Sequence, residues 1–489
     1  MKITVRVLGF ITIFCTGLQS VQAAPSDIFN SLVEQTESSR RTPVVDVVDP
    51  ACGEEGKKEF VSLVAQSWYL WYEELAPVSP DDYPTAQAYL NALTAPLAPD
   101  GRDPGFSYLT TQAADNAQGS TGAYVGYGFS YAFDAQNRFM FSDVLQGGPA
   151  GDADFRRGDE VLAIDVGNGF ETIAQLSQRQ ATSAEVFGAS EAGVERSFRV
   201  RQGQTVVEVT LIKRELVTPP LATEPLLIAR SGNSPVGYLN LRSFISTANT
   251  ALADATRTFR EAGVTDLVID LRYNGGGLVS VADTMLDLLG GLTAAGQDSW
   301  QITHNDKHSD ENFGAVFAAL PDSMEPMRIA FITTGGTASA SELVINSLAP
   351  HIEVVLIGKD TLGKAVGQYA FDQSQVSQWA SCDTRLRLIA FQIVNGEGNG
   401  GYYNGLVSSG GFTLCPAVDD LTRNFGDPEE SSLNAALGWL NNGFCSANTA
   451  SANRAPRLRR IDDSQFDKTA RWHLADLPDA PFGLSPWVQ

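Results

Sequence analysis

The chain has 489 residues, 43% of them hydrophobic and 19% charged, an ordinary globular composition that excludes a largely disordered protein. Lys and Arg number 34 against 57 Asp and Glu, a net charge of −23 that argues against a general binder of nucleic-acid backbones or anionic membranes. Beyond the N-terminus no apolar run is long enough to span a bilayer.

Lys2 and Arg6 precede an apolar stretch over 7–18, and Val21-Gln22-Ala23 places small residues at −3 and −1 of a cleavage position. This is the layout of a secretory signal peptide over 1–23, with a buried first strand as the competing reading. Phe14 is too bulky for the small residue that a lipoprotein signal needs before Cys15. An exported product, periplasmic or extracellular, keeps Cys52, Cys382, Cys415 and Cys445. An even number in such a chain suggests two disulfides, with four buried thiols as the alternative. Of the three pairings, Cys382–Cys415 is favoured because the two flank one expected hairpin, which leaves Cys52–Cys445. No CxxC or Cys/His cluster suggests a zinc site.

Val61, Val64, Trp68, Trp71 and Leu75 recur at three- and four-residue spacing, so 57–75 reads as an amphipathic helix. More helix is expected over 85–93, followed by a turn at Asp103-Pro104-Gly105. A small N-terminal helical region therefore occupies 24–117. Over 118–216 the texture changes to short β runs broken by glycine, with a closing strand over 205–212. The segments Gly126-Tyr127-Gly128-Phe129 and GGPAGDADFRRGDEVLAIDV make this block resemble a PDZ domain. The resemblance implies that Tyr127, Gly128 and Phe129 form the loop whose amides take a peptide's C-terminal carboxylate, the peptide adding a strand to the sheet edge. A β module that only packs is the plainer alternative.

From 236 the pattern alternates: strand over 236–241, helix 249–261, strand 266–271, helix 279–289, strand 328–333, helix 338–348 and strand 353–358. Alternation implies a parallel sheet with both faces covered and ligands beyond the carboxyl ends of its strands. Residues 217–447 form this core, and 448–489 read as a polar, extended tail.

Three segments at those strand ends carry chemistry. Asp270-Leu271-Arg272-Tyr273-Asn274-Gly275-Gly276-Gly277 is a strand exit with three glycines, whose amides can face a developing negative charge. Thr337-Ala338-Ser339-Ala340-Ser341-Glu342 opens a helix. Ser339 and Glu342 spell a capping box, yet a serine at a helix N-terminus is also where unpaired amides favour an oxyanion. Gly363-Lys364-Ala365-Val366-Gly367-Gln368 offers a lysine, which serves as a base only if burial keeps it neutral.

In this order the three segments resemble DLRxNxGG, TASASE and GKxxxQ of the C-terminal processing, or tail-specific, serine proteases of family S41. The 25-residue step from Ser339 to Lys364 and the four-residue step to Gln368 match that family's nucleophile, base and orienting glutamine. The resemblance covers about 50–445. It implies a multidomain α/β protein: a crotonase-like (ClpP/crotonase) parallel-sheet protease core, an inserted β-rich PDZ domain and a small N-terminal helical region. It further implies Ser339 as nucleophile, Lys364 as general base, Gln368 as its positioner, and an oxyanion hole from Ala340 N–H with Gly276 or Gly277. No metal or cofactor is required, and the substrates are proteins or peptides with exposed C-termini. An acidic residue carried by some members eleven positions after the serine is Pro350 here, and 396–411 is unusually glycine-rich.

Rival readings are weaker. Gly358-x4-Gly363-Lys364 nearly spells a P-loop, but Ala365 stands where Ser or Thr would hold Mg²⁺. The chain has four histidines and no GxSxG elbow for a Ser-His-Asp hydrolase, and His304 and His308 read as exposed residues of a polar loop. The alternative from another class is a non-catalytic peptide-binding protein on the same scaffold.

Overall fold

The computed structural model describes residues 52–134, 136–230 and 233–445, so the expected signal peptide and the tail beyond 445 lie outside the described residues. The first helix, Glu54–Trp68, buries Phe60, Val61, Val64, Ala65 and Trp68 along one face, as the apolar spacing dictates. It ends seven residues earlier than the periodicity suggests. Asn305 Nδ2 donates to the carbonyls of Ser67 and Tyr69 at 2.9 and 3.0 Å, and the chain leaves the helix extended at Tyr69. A second helix, Ala86–Thr94, starts at Thr85, whose hydroxyl accepts from Ala88 N–H. The Asp103-Pro104-Gly105-Phe106 turn then leads into the strand Tyr108–Thr111; Gly105 has φ 96°, the left-handed value that the third position of a Pro-Gly turn requires.

The glycine-broken region folds as an antiparallel sheet in the order Phe129–Phe133, Phe139–Val144, Glu160–Asp165, Glu195–Gln202, Thr205–Ile212, with Phe170–Thr172 paired to the third strand. Alternate residues point inward and form an aromatic core of Tyr127, Phe129, Phe141, Phe155, Phe187 and Phe198. Two short helices, Ile173–Gln178 and Ser183–Phe187, each begin with a Thr whose hydroxyl and backbone exchange bonds with the residue three further on. A two-stranded ribbon, Ala123–Gly126 against Arg214–Val217, joins the entry and exit of this module.

The remaining chain builds two sheets. One runs Leu226–Arg230, Asn233–Asn240, Asp266–Asp270, Arg328–Thr333, Glu353–Gly358, Leu414–Pro416. Its first pair is antiparallel and the rest are parallel. The central strands are buried on both faces, with Val268, Ala330, Ile332 and Val355 packing against Leu433, Ala436 and Trp439 of the helix Ser431–Asn442. The other sheet is antiparallel throughout: Tyr108–Thr111, Thr384–Asn395, Asp298–His304, Phe313–Val316, with Val366–Asp372 also paired to the 12-residue Thr384–Asn395.

These mixed sheets overturn the crotonase-like parallel-sheet core expected from the sequence. The strand–helix alternation over 236–358 is interrupted by the antiparallel pair Asp298–His304 and Phe313–Val316. Before and after this region, Leu226–Arg230 with Asn233–Asn240 and Val366–Asp372 with Thr384–Asn395 are consecutive strands that pair antiparallel, without the α-helical crossover a parallel pair uses. The disulfides differ too: they are Cys52–Cys382 and Cys415–Cys445, with Cα atoms 5.2 and 5.3 Å apart. The hairpin expected between Cys382 and Cys415 does not form, because Cys382 precedes a strand of the antiparallel sheet and Cys415 lies on the last strand of the other.

Candidate active site

Ser339 occupies the N-cap of the helix Ala340–Leu348 with φ 55° and ψ −117°, a conformation that costs a non-glycine residue energy and persists only where its surroundings hold it. Those surroundings centre on Glu342, which is wholly buried. Its carboxylate accepts from Ser339 N–H at 2.8 Å, as the capping motif predicts, and also from Gly363 N–H at 2.7 Å and Lys364 N–H at 2.9 Å. One carboxylate thus ties the serine segment to the lysine segment. Burial pushes Glu342 up to about 7, opposed by its Thr361 and backbone donors.

Lys364 is 5% exposed, and its Nζ donates to Gln368 Oε1 at 2.8 Å. Gln368 Nε2 in turn donates to the Phe106 carbonyl, and Nζ lies 5.0 Å from the Phe106 ring centroid. Burial is the largest influence on the amine and lowers its pKa to about 8; Asp103 and Glu342 pull it up, while Arg387 pushes it down. Among the described residues no carboxylate forms an ion pair with this ammonium.

The glycine turn closes over the serine. A Cβ at Gly276, where φ is 110°, would stand 2.8 Å from Ser339 Cβ and 3.0 Å from Ala340 N. Asn274 staples the turn in place: its carbonyl accepts from Ala338 N–H at 3.1 Å and Ser341 Oγ at 2.9 Å, and its side chain accepts from Gly276 N–H at 2.9 Å. With the Gly276 amide so engaged, the amides of Gly275, Gly277 and Ala340 have no hydrogen-bond acceptor among the described residues.

Beneath the turn, Arg272 is 1% exposed and hydrogen-bonds Asp270, Asp419 and Glu430 at 2.8–3.1 Å. Arg157 of the β module reaches the same cluster, donating to Tyr273 Oη at 2.9 Å and Asp419 Oδ1 at 2.6 Å.

In the β module, the Tyr127 and Phe129 side chains are fully buried, and Tyr127 Oη donates to the Phe187 carbonyl at 3.0 Å. Any ligand contact at 127–129 would therefore run through the backbone. Gly128 has φ 80° and stands against Gly148, and Phe129–Phe133 is an edge strand of its sheet.

Sequence reasoning missed the second task of Glu342 and the stapling by Asn274; neither leaves a signal beyond its own motif. His304 and His308 are not surface residues: both are at least nine-tenths buried, and His308 stacks on Trp68 with ring centroids 3.6 Å apart. The first helix covers the segment that reads as an exposed loop.

The helix-capping serine and the dry lysine are thus tied through the single Glu342 carboxylate beside the glycine turn. The family model for peptidase family S41 matches residues 235–399, and that for the S41 N-terminal domain matches 57–108. Over these residues the chain is similar to peptidase family S41. It is 28% identical over 256 residues to a carboxyl-terminal-processing protease of Synechocystis, covering 52% of this chain and 56% of that one. With the chloroplastic carboxyl-terminal-processing peptidase 2 of Arabidopsis thaliana it shares 27% over 270 residues, 53% of this chain and 49% of the other. With a chloroplastic C-terminal processing peptidase of Tetradesmus obliquus it shares 28% over 350 residues, 68% and 71% of the two chains. The chain spans about half the length of the first two relatives. A crystal structure assigned to the S41 proteases, from Bacteroides fragilis, has the same fold at a TM-score of 0.60 and 24% identity, covering 83% of this chain and all of that one.

Proposed function

We propose that this protein is a serine endopeptidase that hydrolyses peptide bonds through a Ser339–Lys364 dyad. The observation that carries the reading is a buried lysine amine, without a carboxylate partner, whose backbone shares one carboxylate with the backbone of a strained helix-capping serine. Neutral Lys364 takes the Ser339 proton as Oγ attacks the scissile carbonyl, forming the tetrahedral intermediate. The N–H groups of Ala340 and Gly277 receive the oxyanion at the positive end of the helix. The resulting Lys364 ammonium protonates the leaving amine; the neutral Lys364 amine then takes a proton from the water that attacks the acyl-enzyme and returns it to Ser339 Oγ as the carboxylic acid product departs. Gln368 holds Nζ through its carbonyl, which accepts from the amine in either charge state.

The β module fits capture of substrate C-termini: an edge strand follows the Tyr127-Gly128-Phe129 loop, so a peptide can extend the sheet while the backbone amides of that loop meet its carboxylate. Two disulfides support an oxidising, exported location. The organisation proposed is the one read from the sequence: an N-terminal region to 117, a PDZ-like module over 118–216 and a protease core over 217–447.

The test is proteolysis of an unfolded protein such as casein, together with labelling by a fluorophosphonate. Wild type cleaves and is labelled at Ser339; Ser339→Ala does neither and still binds C-terminal peptides. A chain that binds such peptides but is neither labelled nor active would instead be a binding protein.

A further inference from the structure

The turn at 103–107 lies outside the three catalytic segments, yet it closes the lysine's surroundings. Asp103 is 1% exposed and accepts from Tyr69 Oη at 2.9 Å, Phe106 N–H at 2.7 Å, Ser107 N–H at 3.3 Å and Ser107 Oγ at 2.9 Å. Four donors on two oxygens fix the conformation of the turn. Ser107 Oγ also accepts from Ile389 N–H at 3.2 Å, which pins the turn to the strand Thr384–Asn395. So held, Phe106 is 8% exposed, its carbonyl accepts from Gln368 and its ring faces Lys364 Nζ.

We propose that the Asp103–Ser107 turn is a positioning device for the general base: the Phe106 carbonyl fixes Gln368, and the Phe106 ring keeps water from the Lys364 amine. The inference rests on the reading of Lys364 as the base. On this account the N-terminal region completes the active site that the core begins, and Phe106 acts through Lys364 rather than on substrate.

The charged groups facing the amine are Asp103 from the turn, Glu342 from the serine helix and Arg387 from the strand Thr384–Asn395, the last paired with Asp115. Since burial is the largest influence on this amine, water admitted at Phe106 acts on the dominant cause. The ring's quadrupole favours an ammonium, an effect of about 0.5–2 kcal/mol. Leucine in its place removes that attraction while preserving dryness.

The experiment is the pH–rate profile of peptide hydrolysis for wild type, Phe106→Ala and Phe106→Leu. Beside it, Lys364 is titrated directly by NMR of the protein carrying ¹³Cε-labelled lysine, its signal assigned by its loss in Lys364→Arg. Phe106→Ala is expected to raise both midpoints by about one unit, so that kcat falls roughly tenfold below the midpoint and recovers above it, with KM little changed. Phe106→Leu is expected to leave the midpoints at or below those of wild type. Should Phe106→Ala not fold, Phe106→Val is expected to shift them the same way by less.

An unmoved lysine midpoint in the Ala or Val variant, or a loss of rate of equal proportion at every pH, overturns the proposal. A lysine midpoint that moves while the rate profile stays put supports the shielding by Phe106 and refutes Lys364 as the base.

Discussion

Arg272 and Lys364 are both buried cations, and the difference between them separates structure from chemistry. Arg272 is surrounded by Asp270, Asp419 and Glu430. Burial works against its charge, but the three carboxylates outweigh burial and hold its pKa well above the ordinary value. Lys364 is equally dry, yet its amine is hydrogen-bonded to an amide oxygen, and its pKa falls to about 8. A fully paired guanidinium cannot give up its proton and serves to fix the glycine turn. A lysine without an ion pair exchanges its proton within reach of neutrality, which is what a general base needs.

The largest effect expected from this contrast is on Ser339, the proposed nucleophile. Ser339→Ala should lower kcat by about 10⁴-fold or more with the melting temperature nearly unchanged, as residues acting as one catalytic unit do; a casein assay beside a thermal melt reads both. Lys364→Arg should lose about 10³-fold or more, because a guanidinium stays protonated, and raising the pH to 10 should not rescue it. Near-normal hydrolysis by this variant would erase the contrast. Arg272→Ala should act on the other side of the comparison, costing about 3–5 kcal/mol of unfolding free energy by leaving buried carboxylates unpaired. Urea denaturation measures that loss, and an unchanged stability would show the cluster to be redundant.

Gly276→Ala should reduce kcat about 10²-fold, since its Cβ would press on Ser339 Cβ and the Ala340 amide at a φ of 110°. Steady-state kinetics with a thermal melt separates this from a folding defect. The smallest change is in wild type itself. Lowering the pH through about 8 should reduce the rate roughly tenfold per unit, because the base is active only when neutral and the neutral fraction shrinks as protons are added. A flat profile between pH 5 and 8 would mean that the lysine is not the base.

Much of the core's local structure was legible because it rests on local rules. The strands 328–333 and 353–358 lie where their apolar runs put them, and the serine helix begins at its cap. The first helix was misjudged at its end because Asn305, some 240 positions away, takes the carbonyls of Ser67 and Tyr69. The disulfides were misjudged because partner choice depends on which sheet each cysteine enters, and the alternating pattern does not report the antiparallel strands that interrupt and flank it.

The sequence by itself determined the order and spacing of the serine, lysine and glutamine segments and the resemblance to S41 peptidases. It could do so because residue type and chain separation are properties of the chain alone. Only the tertiary structure decided that Glu342 binds both segments, that Asn274 occupies the Gly276 amide, and that Asp103 and Phe106 of the N-terminal region lie against Lys364. Burial and hydrogen-bond partnership are set by what folds against a residue from elsewhere in the chain. No pattern local to Lys364 records that a phenyl ring 258 positions upstream keeps it dry.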